Sequence, residues 1–250
     1  MMNKSWQKLI KALHQKKYRQ EEGLFLVEGE KSVVELLNST FVTKAVFFTQ
    51  NFAEQHTKLL QKIAKTTTEL WQVSPNVLEQ VGTLQNNDAA LAVVEMPKNK
   101  ALLCLKNSYQ IVLADLRDPG NLGTIIRIAD WYGVHQIVCS LSTVDWYNPK
   151  VISSSMGSFL RVQPYYCELP AYFGQNAHLP IYGALMNGTN VHTVQFAPQG
   201  MIVIGNESNG IPTDLLKYIK YPITIPRFGE AESLNAGIAT AVICDNLRRR

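Results

Sequence analysis

A chain of 250 residues, 46% hydrophobic and 18% charged, can bury a substantial core, which argues against a disordered or low-complexity protein. Its length exceeds what one core comfortably serves, so two domains are expected. The formal net charge of +4 is modest but unevenly spread: Lys4, Lys8, Lys11, Lys16, Lys17 and Arg19 precede any acidic residue, and the chain ends in Arg248, Arg249 and Arg250. Both ends are candidate phosphate-facing surfaces. The competing reading is a solvated helix face at the front and a complement to a helix C-terminus at the back. Cys104, Cys139, Cys167 and Cys244 form no Cys-x-x-Cys pair, and the five histidines have no ligand spacing, so no metal site is expected. No apolar run reaches the length of a membrane span, and the basic start lacks a signal-peptide core; a cytoplasmic location is the expectation.

In chain order, Gly23 to Val27, Ala45 to Phe48 and Leu91 to Val94 read as buried strands, with Lys31 to Leu37 and Ala53 to Ala64 as helices between them. This predicts a small α/β domain over residues 1–96. Met96-Pro97-Lys98-Asn99-Lys100 breaks the pattern, which sets a linker over 97–106 and a second domain over 107–250. There the apolar runs Ile111 to Ala114, Gln136 to Cys139, Ile181 to Ala184, Met201 to Ile204 and Ile223 to Ile225 predict a mostly parallel sheet covered on both faces. Leu122 to Tyr132 reads as a helix with Leu122, Ile125, Ile126, Ala129 and Gly133 inward and Arg127 off that stripe. Ser233 to Leu247 reads as a last helix capped by Ser233, with Leu234, Ile238, Ala241 and Val242 inward.

Ligands of open α/β sheets bind beyond the carboxyl ends of the strands. Three loops there are rich in glycine and small polar residues: Asp118 to Gly123, Gly205 to Gly210, and Pro226 to Asn235. None is a dinucleotide fingerprint or a phosphate loop, and Asn206-Glu207-Ser208-Asn209-Gly210 lacks the first glycine of a hydrolase elbow.

Taken in order, Asn121-Leu122-Gly123 with Arg127, Gly205-Asn206-Glu207 with Gly210, and Ile225-Pro226 followed by Ser233-Leu234-Asn235 resemble the three motifs of SpoU-type methyltransferases in the SPOUT superfamily. Asn187-Gly188-Thr189 fits a cofactor-side loop of that family, and Gly120 stands where the family often carries a bulkier residue. Lys16 to Arg19 with Phe25 to Glu30 looks like the start of the small domain that precedes the catalytic one in many ribosomal RNA members. The resemblance implies a SPOUT domain with a C-terminal trefoil knot, a homodimer, and transfer of a methyl group from S-adenosylmethionine to a ribose 2′-hydroxyl of RNA, ribosomal RNA ahead of transfer RNA. A non-catalytic RNA-binding protein on the same fold and methylation of a base are the rivals. Carried over by position, Met186, Asn187, Gly205, Asn206, Glu207, Ile225, Leu234 and Asn235 would hold the cofactor, and Lys16, Lys17, Arg19 and Arg127 would face RNA. Arg127, Asn121, Glu207, Ser233 and Asn235 would form the catalytic set. A guanidinium does not lose its proton near neutrality, so Arg127 is expected to bind phosphate and stabilise charge, with its part in proton transfer open.

Overall fold

The computed structural model describes residues 2 to 249; Arg250, named above with the basic C-terminus, lies outside them. Elements follow in the order α1 (Lys4–Ala12), α2 (Lys16–Glu22), β1 (Leu24–Glu28), α3 (Glu30–Leu37), β2 (Thr43–Phe48), α4 (Gln50–Gln55), α5 (Thr57–Ile63), β3 (Glu69–Gln72), α6 (Pro75–Val81) and β4 (Ala90–Glu95). Then come β5 (Tyr109–Leu113), α7 (Pro119–Trp131), β6 (Gln136–Ser140), α8 (Pro149–Ser154), β7 (Gln163–Cys167), α9 (Leu169–Gln175), β8 (Ile181–Asn190), β9 (Gly200–Ile204), β10 (Tyr221–Thr224) and α10 (Ala236–Arg248), with three short 3-10 turns among them.

Two compact units result, and neither is one continuous stretch. The first comprises the chain up to Lys98 together with Asp145–Leu160; the second comprises Asn99–Val144 and Arg161–Arg250. Sixteen residues that sit in sequence between β6 and β7 therefore fold with the N-terminal unit. The reason lies in β1, all five residues of which are buried. Leu24 and Leu26 face a core with Ile10, Leu13, Phe47 and Leu78. On the opposite face Phe25 packs against Phe41, Tyr147 and Phe159, with ring centroids 6.2, 4.7 and 6.0 Å away. A strand that is apolar on both faces needs two covers, and residues 145–160 supply the second.

The first unit carries a four-stranded sheet in the order β1-β4-β2-β3, with β4 antiparallel to both neighbours and β2 parallel to β3. The polar edge strand β3 was not anticipated from the sequence. The single helix expected over Ala53 to Ala64 is two helices broken at His56, where φ is −121°. There Thr57 Oγ1 donates back to Ala53 O at 2.8 Å, and His56 Nε2 lies 2.8 Å from Glu30 Oε1.

In the second unit six parallel strands run in the order β10-β8-β9-β5-β6-β7. Central strands β5 and β9 are wholly buried, as continuous apolar runs require. The half-exposed edge strand β7, with Pro164 in it, escaped the sequence reading. Asp118 caps α7, its side chain accepting from Asn121 N at 2.8 Å, and Pro119 fills the first turn.

The last helix differs from expectation in start and face. It begins at Ala236 with Asn235 as the cap, whose side chain accepts from Gly237 N and Ile238 N, so Ser233 is not the cap. Ala236, Gly237, Thr240, Ile243 and Cys244 are buried, while Leu234 and Ile238 are half or more exposed. The inward face is made of small residues because α10 approaches α7 closely: a Cβ on Gly237 would lie 2.9 Å from Thr124 Cγ2. At the start of this helix the bulky Leu234 and Ile238 therefore mark the wrong side.

Candidate active site

Chain order and sheet order diverge at β5: the chain continues outward to β6 and β7 on one side, whereas β9 lies on the other. The carboxyl ends of β5 and β9 therefore flank a topological switch point, where open α/β sheets bind ligands. Because β10, β8, β9 and β5 are adjacent and parallel, the loops leaving all four emerge at one edge. Asn121 follows β5, Met186 and Asn187 lie in the distal half of β8, Gly205 to Glu207 follow β9, and Ile225 follows β10.

Glu207 is the hub. Its Oε1 accepts from Asn121 Nδ2 at 3.0 Å and from Asp118 N at 3.2 Å, and its Oε2 accepts from Arg117 N at 3.3 Å. Asn121 Oδ1 in turn accepts from Asn235 Nδ2 at 2.7 Å, and Asn235 Oδ1 caps α10. One chain of hydrogen bonds thus joins the loops after β5 and β9 to the start of α10. Burial alone would raise the Glu207 carboxyl, but donors from the Asn121 side chain, its own backbone and the Asp118 and Arg117 amides outweigh it and hold its pKa below the usual carboxylate range. The carboxylate is ionised at neutral pH and spent as an acceptor.

The loop after β9 is equally constrained. Asn206 and Gly210 exchange two backbone hydrogen bonds at 2.9 and 3.0 Å, and Asn206 Oδ1 accepts from Ser208 N and Asn209 N. This folds the loop back onto its own strand, so a Cβ on Gly205 would collide with the backbone of Gly210 and Ile211. Only glycine fits there. Asn206 Nδ2 donates to Asp115 O at 2.8 Å, a second tie across the switch point. On the β8 side Thr224 Oγ1 donates to Met186 O at 3.0 Å. Met186 and Leu234 are exposed apolar side chains, Asn187 and Ser233 are also exposed, and Ile225 is half-buried.

Of the expected cationic residues, Arg127 lies on the exposed face of α7, and its guanidinium makes no hydrogen bond or ion pair among the described residues. Lys16 and Lys17 are exposed at the start of α2. Arg19 does not face RNA. It is 1% exposed, its guanidinium donating to Asp145 Oδ2 at 2.6 and 3.0 Å and to the carbonyls of Leu13 and His14. The basic run misled because α2 buries Arg19 alone of its residues, so this one cation lies on the inward face of the helix. At the other end Arg248 donates to Tyr132 O and Gly133 O, and Arg249 pairs with Asp245, so both favour the helix-complementing reading. Sequence reasoning passed over Asp115 and Arg117, whose signal was their place: a charged pair one residue apart directly after a buried strand.

Among the described residues no group of three or more His, Cys, Asp and Glu side chains could hold a metal. Burial pushes the Cys167 and Cys244 thiols up to about 11 and about 12, which suppresses their thiolates.

Residues 108–245 match the model of the SpoU rRNA Methylase family. The chain belongs to this family. Residues 7–92 match an MRM3-like substrate binding domain. Among curated relatives of this SpoU protein, the 23S rRNA (guanosine(2553)-2'-O)-methyltransferase RlmP of Bacillus subtilis is 30% identical over 98% of this chain and 95% of its own length. Among solved structures, a putative RNA methyltransferase of the TrmH family from Porphyromonas gingivalis superposes with a TM-score of 0.87 at 28% identity, covering 99% of this chain and 98% of that one. An AdoMet-bound rRNA methyltransferase from Sinorhizobium meliloti gives a TM-score of 0.89 at 25% identity, over 99% and 95%. Both solved structures match this chain over 99% of its length, a span that includes the small α/β unit and the parallel-sheet unit.

Proposed function

We propose that this SpoU protein transfers a methyl group from S-adenosylmethionine to a ribose 2′-hydroxyl of RNA, with ribosomal RNA as the substrate and the cytoplasm as its location. The observation that carries this reading is the Glu207–Asn121–Asn235 chain of hydrogen bonds, which gathers three sequence-distant motifs at the switch point of the sheet. Two of the relatives named above, those of Bacillus subtilis and Sinorhizobium meliloti, act on ribosomal RNA by their names and support the substrate class.

The residues fit the cofactor. Exposed apolar Met186 and Leu234 with half-buried Ile225 suit the adenine and methionine carbons, and the tight turn at Gly205 keeps side-chain bulk away from the strand end. S-adenosylmethionine, when bound, supplies an already activated methyl on a sulfonium, so what is left to the protein is alignment of the hydroxyl and the fate of its proton. Glu207, held ionised by four donors, orients Asn121 and the loop and is not the base. Asn121 and Asn235 position the target nucleotide and the cofactor. To exposed Ser233, two residues before Asn235, we assign a hydrogen bond to the cofactor or the target nucleotide. Arg127, exposed and unpaired among the described residues, grips a phosphate and stabilises the negative charge that develops on the attacking oxygen. Lys16 and Lys17 in the first domain add phosphate contacts.

We extend the reading to a homodimer and to a C-terminal trefoil knot. Exposed Trp131, 83% accessible at the end of α7, and Ile238, 55% accessible on α10, support the first. Membership of the SpoU family supports the second.

The test is tritiated methyl transfer to ribosomal RNA followed by digestion to nucleosides. A 2′-O-methyl nucleoside is expected; a base-methylated one, or none with cofactor still bound, overturns the reading. Arg127→Ala should lower transfer by at least about a hundred-fold, the scale of losing one transition-state charge partner, with cofactor affinity by calorimetry nearly unchanged. Undiminished transfer removes Arg127 from the catalytic set.

A further inference from the structure

The turn that leaves β5 contains two charged side chains to which the mechanism above gives no task. Asp115 adopts φ +64°, in the left-handed region that a residue with a side chain enters only at a cost. Its peptide is clamped from both sides. The N–H donates to Ser140 Oγ at 3.0 Å, at the end of β6, and the carbonyl accepts from Asn206 Nδ2 at 2.8 Å, beyond β9. Leu116 is fully buried and its carbonyl accepts from Val144 N at 2.9 Å. Arg117 N donates to Glu207. Three consecutive residues are thus anchored to the neighbouring loops, and the most exposed side chain they present is Arg117, 63% accessible.

That side chain is not left to wander. Arg117 Nη2 lies 2.6 Å from Asp115 Oδ1, an oxygen shielded from solvent that takes no aligned hydrogen bond, so the contact is charge on charge. One such contact leaves most of the five guanidinium N–H donors open. The other carboxylates nearby are turned inward: Asp118 accepts from Asn121 N, and Glu207 from the amides of the turn. The most exposed charge of this turn is therefore the Arg117 guanidinium.

We propose that Arg117 grips a phosphate of the RNA beside the target nucleotide, independently of Arg127, and that Asp115 is a positioning residue that holds the guanidinium ready. The proposal rests on the RNA methyl-transfer reading. Glycine at position 115 would satisfy the backbone without strain; an aspartate there is accounted for by what its carboxylate does. A guanidinium fork suits a phosphate, and one already held by a partner loses less side-chain freedom on binding. Such a contact fixes the register of the RNA without reading its sequence.

Two measurements test this on the full chain: equilibrium binding to transcribed 23S ribosomal RNA over a range of salt, and methyl-transfer kinetics. Arg117→Ala should raise Kd and KM for RNA by about ten-fold at low salt and reduce the log–log salt slope by about 0.7–0.9, the loss of one phosphate contact. Its kcat, S-adenosylmethionine affinity and melting temperature should stay near wild type, and Arg117→Lys should restore the salt slope. Asp115→Gly suits the backbone and removes only the carboxylate; it should raise KM for RNA about three-fold, a fraction of the full loss. An Arg117→Ala protein with wild-type RNA affinity and salt slope overturns the proposal, and an Asp115→Gly protein with wild-type KM overturns the positioning role. If the wild type binds this RNA but transfers no methyl group, the reading above fails while the binding arm still decides Arg117.

Discussion

Glu207 shows how one side chain converts separate loops into a site. Its pKa is depressed by donors that act only in the folded state, so by linkage it contributes stability above its unfolded pKa of about 4.3, and that contribution is lost as pH falls through the lower folded value. In Glu207→Gln a carboxamide replaces an acceptor of several bonds. We expect about 1 kcal/mol lost at pH 7, the difference from wild type holding to about pH 5 and shrinking below about pH 4. Melting temperatures of the two proteins across that range measure it; a difference independent of pH down to about pH 2 would show that the carboxylate charge is not what ties the loops. The identities of Asn121, Glu207 and Asn235 were legible in the sequence as motif positions. Their mutual contacts were not, since residues 86 and 114 positions apart come together only through the sheet.

At the scale of elements, Asn235 does two things: it caps α10 and it bonds Asn121. The functions separate by substitution. Asn235→Ala should cost about 1–2 kcal/mol of stability as well as cofactor affinity. Asn235→Ser keeps a good cap and loses the reach to Asn121, so thermal stability should stay near wild type while methyl transfer falls. Methyl transfer at the wild-type level in Asn235→Ser would mean that the Asn121 bond carries nothing beyond the cap. The sequence suggested Ser233 as that cap because a serine before an apolar run is a strong local signal. What local pattern omits is that α10 must meet α7 through Ala236, Gly237 and Thr240, where small residues allow close approach and Ile238 is left outside.

For the whole molecule, the buried Arg19–Asp145 pair joins residues 126 positions apart within the first unit. Arg19→Ala would strand a largely buried carboxylate and two carbonyls, a loss of about 3–5 kcal/mol. Denaturant unfolding measures it, and a loss under about 1 kcal/mol would return Arg19 to the surface cations. Assembly is testable by light scattering: Trp131→Glu with Ile238→Asp should convert the proposed dimer to monomer, and a dimer that persists would move the interface elsewhere. The sequence by itself determined the α/β class, the parallel sheet and the motif residues, because apolar runs and loop chemistry are local and strand burial is written in composition. Only the tertiary structure decided that residues 145–160 fold with the N-terminal unit, that Arg19 is interior, and that α10 turns its small residues inward. Each of these depends on which distant surface covers a given face, and a period of two or 3.6 residues marks a face as coverable without naming its cover.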